Sequence, residues 1–107
     1  MLSIKEFKTL ILIHASDVDY EIHENERKFI LGKYGHDSFE KMYSYYIHLR
    51  KESFDFIWNN FDIYFPKDEQ KLMMKQEVFS LFLSDYCYND FEKAFMQLFR
   101  LKTTMQE

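Results

Sequence analysis

Two glycines and one proline in 107 residues leave this chain few places to make a tight turn. A β-sandwich, or a doubly wound sheet with a phosphate loop, needs such residues at most of its bends, so both folds are disfavoured. Helices need neither residue in their interiors. Aromatic residues, mostly Phe and Tyr, make up 20% of the chain. Side chains that large fill a core at a length where burial is otherwise marginal. The expectation is an all-α fold: a compact bundle of about six helices forming a single domain over residues 1–107.

Apolar periodicity places the helices. Ile4, Phe7, Ile11, Ala15 and Val18 recur at steps of three and four, widened by Leu10 and Ile13, and predict a first helix over residues 3–16. Arg27, Phe29, Ile30 and Leu31 predict a short second helix that stops at Gly32. Asp37 and Glu40 have capping-box spacing ahead of a third helix carrying Phe39, Met42, Tyr43, Tyr46, Ile47 and Arg50. Ser53 opens a fourth with Phe54, Ile57, Trp58 and Phe61, closed before Pro66. Pro66 suits the first turn of a fifth helix, with Asp68 and Glu69 complementing its dipole and with Leu72, Gln76, Phe79, Phe82 or Leu83, and Tyr86 on one face. A sixth starts near Asn89 with Phe91, Phe95, Leu98 and Phe99, and residues 102–107 are expected to fray.

Several functions are disfavoured by composition. No apolar run approaches the roughly 20 residues that span a bilayer, and the Met1–Glu6 start lacks the basic and apolar regions of a secretion signal. A lone cysteine, Cys87, provides no internal disulfide and no four-thiolate zinc site. These features predict a cytoplasmic protein without membrane insertion. The net charge is −4, and the densest basic cluster is Arg50–Lys51, so nucleic acid is not an expected partner.

The chain also repeats itself. Asp19-Tyr20-Glu21-Ile22-His23-Glu24-Asn25-Glu26 aligns with Asp85-Tyr86-Cys87-Tyr88-Asn89-Asp90-Phe91-Glu92 at an offset of 66 residues. Asp, Tyr and Glu recur at the first, second and eighth places, Arg27 matches Lys93, and Phe29 matches Phe95. Each copy follows a long apolar helix and precedes a shorter one, which predicts two pseudo-symmetric helical hairpins. Residues 17–26 hold five acids and residues 85–92 hold three, with no Lys or Arg in either window. The remainder of the chain is net positive. Carboxylates gathered in this way repel one another and invite a cation.

Val18-Asp19-Tyr20-Glu21-Ile22 with Glu26, and Ser84-Asp85-Tyr86-Cys87-Tyr88 with Glu92, resemble the repeated motif of the tellurite-resistance protein TerB-like family. That motif is a small residue, Asp and Gly at a turn, an apolar residue two positions later, and a Glu opening the next helix. The resemblance covers nearly the whole chain. It implies an all-helical, non-enzymatic binding module of bacterial stress response or defence. It also implies that Asp19, Glu26, Asp85 and Glu92 are ligands for a divalent cation, and oxygen-only ligands suit calcium or magnesium. Tyr20 and Tyr86 stand where the family has Gly, which points to a shared alternative turn with both rings packed beside the acids.

The competing reading is helix capping. Asn89 with Glu92 and His23 with Glu26 have capping-box spacing, and Glu24 and Asp90 fall in first turns, where the helix dipole favours negative charge. On that reading the chain is a helical scaffold or dimerisation domain. An EF-hand loop starting at Asp17 fails, because Ile22 replaces the required Gly and Lys28 the required bidentate acid. No two of His14, His23, His36 and His48 have zinc-motif spacing, so the histidines are expected to be solvated or capping, although His14 and Asp17 lie one turn apart. Neighbouring acids would raise the Cys87 pKa and make it a poor nucleophile. No catalytic constellation is present. Tyr43, Tyr45 and Tyr46 cannot all face inward from one helix, and the aromatic surface left over suggests a protein partner or a homodimer.

Overall fold

The computed structural model describes residues 1–17, 22–84 and 90–103. These are all-helical, and no strand occurs among them. Helix α1, Ile4–Ser16, starts at a reciprocal cap: the Ser3 hydroxyl accepts from the Glu6 N–H at 3.1 Å, and the Glu6 carboxylate accepts from the Ser3 N–H at 2.9 Å. Phe7, Leu10, Ile11, Leu12, Ile13 and Ala15 are all buried, as are Thr9 and Ser16. A helix enclosed on every side belongs at the centre of a bundle. There α1 packs against α2 (Glu24–Tyr34), α3 (His36–Leu49), α4 (Ser53–Tyr64) and α5 (Asp68–Leu83). Helix α6, Asp90–Thr103, lies against α5 and stacks Phe99 edge-on against Trp58 and Phe61 of α4. The Cα radius of gyration, 12.9 Å, matches the roughly 13 Å of a compact chain of this length.

Three boundaries differ from the sequence expectation. Helix α2 runs through Gly32 to Tyr34 and stops at Gly35, whose φ of 92° is open to glycine and costly for other residues. Gly32 is therefore interior, because the next glycine provides the cap. Helix α3 begins at His36, directly after Gly35 and without a side-chain cap, so the Asp37–Glu40 capping box does not form. Asp37 instead occupies the first turn, where its charge suits the dipole. Helix α5 starts two residues after Pro66, at Asp68, with the Gln70 side chain accepting from the Lys67 N–H at 3.0 Å.

The buried face of α5 also differs. Lys71, Met74, Val78, Leu81 and Phe82 point inward, while Leu72, Phe79 and Leu83 are exposed. Apolar residues populate both sides of this helix, so periodicity alone does not select the core face. Met74, Val78 and Leu81 fit the space beside α1, and the Leu72 row is left in solvent.

Candidate functional site

The sequence-nominated acids divide into two groups. Asp19 and Asp85, with most of both acidic turns and with Tyr20, Tyr86 and Cys87, lie outside the described residues. Glu26 and Glu92 lie within them, at 0% and 2% exposure. Each is the third residue of its helix, Glu26 in α2 and Glu92 in α6, and the two are 66 positions apart. Carboxylates taken out of water require compensation for their lost hydration. The first turn of a helix contributes some, through its free N–H groups and the positive end of its dipole. Among the described residues, no three His, Cys, Asp or Glu side chains cluster. At the start of α2, His23 occupies the capping position without a side-chain cap bond, so the His23–Glu26 capping box is not made.

A second constellation was not nominated as a site by the sequence. An open pocket of about 280 Å³ lies where α1 ends against the junction of α3 and α4. His14 and Asp17 reach it from the end of α1, Tyr46 and Ile47 from α3, and Ser53 from the first residue of α4. Arg50 and Lys51 reach it from a short 3-10 turn, Arg50–Glu52, that joins α3 to α4. The His14 Nδ1 and Ser53 Oγ atoms are 3.0 Å apart, and the imidazole ring packs against Tyr46, Phe54 and Phe95. His14 is therefore neither solvated nor capping, contrary to expectation. Burial pushes its pKa down to about 4, against a smaller upward pull from the Asp17 charge, so the ring is neutral at pH 7. His36, by contrast, is exposed and lies 3.6 Å from Glu40, one turn along α3.

The Tyr46 hydroxyl donates to Asp17 Oδ2 at 2.6 Å. Burial, and then this bond, raise the phenol pKa well above its ordinary value. Asp17 is also the C-cap of α1, an end where the helix dipole disfavours an anion. Arg50 is the one non-glycine residue at positive φ among those described, with φ 53° and ψ −126°. Ser53 is 1% exposed, so its oxygen orients His14 and is not presented for attack on a substrate. The signals that could have pointed here were the one-turn spacing of His14 and Asp17 and the adjacent cations Arg50 and Lys51. What hid the site was the long separation between its α1 and α3–α4 parts.

Of the three tyrosines expected to leave aromatic surface, Tyr43 is exposed, Tyr45 packs edge-on against Phe56, and Tyr46 closes on Asp17. Helix α5 also leaves Leu72, Met73, Phe79 and Leu83 exposed. Comparison with protein-family models, curated proteins and solved structures returned no match to this chain.

Proposed function

We propose that this protein is a non-enzymatic, TerB-like binding module of bacterial stress response or defence, in which two acidic turns hold a divalent cation. Asp19 and Glu26 from one copy, and Asp85 and Glu92 from the other, are the ligands in this reading, and their oxygen chemistry suits calcium or magnesium. The observation that carries it is the shared station of Glu26 and Glu92. Two carboxylates one repeat apart occupy the same helical position, and both are sealed from water. In this reading α1–α2 and α5–α6 are the two halves of a pseudo-symmetric pair of hairpins. The missing side-chain cap at His23 weakens the alternative in which the first acidic turn is only a cap.

Saturating the site at one hundred times its dissociation constant would stabilise the fold by about 2.7 kcal/mol. Each kcal/mol moves the melting temperature by about 4–8 °C in a domain of this size. A melt with calcium or magnesium should show that shift, and Asp19→Asn combined with Asp85→Asn should remove it. A shift left intact by the double variant rules out these ligands.

A helical scaffold or dimerisation domain is the second reading, favoured by the exposed Leu72, Met73, Phe79 and Leu83 on α5. Sedimentation equilibrium separates the two. A homodimer that Phe79→Glu converts to monomer, together with an absent metal response, supports the scaffold.

A further inference from the structure

We propose that the pocket between the end of α1 and the α3–α4 junction is a binding site for a small phosphate monoester bearing an amine. This site uses none of the four proposed metal ligands, although Asp17 opens the first acidic window. One side carries two adjacent cations, Arg50 and Lys51, both exposed and lining the pocket. Among the described residues neither side chain makes an ion pair or hydrogen bond, although the chain as a whole is net negative. A planar guanidinium fork beside a mobile ammonium matches the several oxygens of a phosphate better than the two of a carboxylate. Asp17 lines the same pocket, held by the Tyr46 hydroxyl through one oxygen. Its second oxygen is a natural acceptor for a ligand N–H. Ile47 and the fixed, half-buried His14 ring also line the pocket.

Two placements run against stability and favour a ligand role. Arg50 occupies a backbone conformation that glycine adopts freely and that is costly for other residues. A helix-terminal Asp17 puts negative charge where the α1 dipole opposes it. Both residues line the same pocket of about 280 Å³, a volume suited to a ligand of a few heavy atoms.

The test is a titration of 15N-labelled protein, followed by amide shifts, with O-phosphoethanolamine, inorganic phosphate and ethanolamine as probes. Phosphoethanolamine should give saturable shifts centred on Ile47, Arg50 and Lys51; inorganic phosphate should bind more weakly and ethanolamine not at all. Arg50→Gln, which keeps the backbone but removes the charge, should weaken phosphoethanolamine at least about tenfold. Arg50→Gly should lose binding while raising the melting temperature, which separates a lost site from a lost fold. Asp17→Asn should reduce the preference for phosphoethanolamine over inorganic phosphate. Unsaturable shifts, equal responses to ethanolamine, or wild-type binding by Arg50→Gln would each overturn the proposal.

Discussion

The buried ammonium of Lys71, in the first turns of α5, donates to the main-chain carbonyl of Phe65 at 2.6 Å, just past the end of α4. This contact joins two helices across the Pro66 break. It places a cation at a helix C-terminus, where the carbonyls lack intrahelical partners and the dipole favours positive charge. Asp62, 3.5 Å from the same ammonium, is mostly exposed and adds little.

Replacing Lys71 with Met keeps the aliphatic stem but leaves the Phe65 carbonyl without its donor. The expected loss is about 1–3 kcal/mol, read from urea unfolding, while Asp62→Asn should change stability by less than about 0.5 kcal/mol. A neutral Lys71→Met result would remove this contact from any account of how α4 and α5 are held.

The two glycines should respond in opposite directions. Gly32 lies inside α2 with no neighbouring side chain or backbone within 4 Å of the place a Cβ would take, so Gly32→Ala should stabilise by about 0.5–1 kcal/mol. Gly35, at φ 92°, should lose about 1 kcal/mol or more on the same change. Thermal melts of the two variants check the sign of each.

Stability should fall as pH drops below neutrality, with His14 as a main cause. Its pKa is about 6.5 when unfolded and is pushed down to about 4 in the fold. Between those values the unfolded chain binds more protons, so stability rises with pH across that window and this contribution is flat above it. The full effect is on the order of 3 kcal/mol. His14→Gln should flatten the difference between unfolding curves at pH 7 and pH 5; an unchanged difference would assign the slope to other groups.

The hydroxyl of Tyr34 at the end of α2 donates to the Glu77 carboxylate on α5, and burial together with that carboxylate raises its pKa far above the ordinary phenol value. Tyr34→Phe should cost about 1–2 kcal/mol. A double-mutant cycle with Glu77→Gln isolates the pair, and a coupling energy near zero would mean that the bond does not contribute to stability.

Much of the helical plan was legible in local sequence. Scarce Gly and Pro and the apolar steps of three and four act within one or two turns, and the bounds of α1 and α4 agree with them. The acidic repeat was equally visible, and it drew attention to Glu26 and Glu92, which the fold buries. Where two local signals competed, sequence alone did not choose: Gly32 against Gly35 as a stop, or the Leu72 row against the Met74 row as a core face. Those choices depend on which helix lies alongside.

Sequence by itself determined that the chain is helical, because backbone preference and capping are local properties of neighbouring residues. Tertiary structure alone decided that α1 is enclosed by its neighbours, that Lys71 caps a helix it does not belong to, and that His14 meets Ser53 across 39 positions. Such pairings depend on how helices pack, since their energies come from water exclusion and short-range contact between residues far apart in the chain.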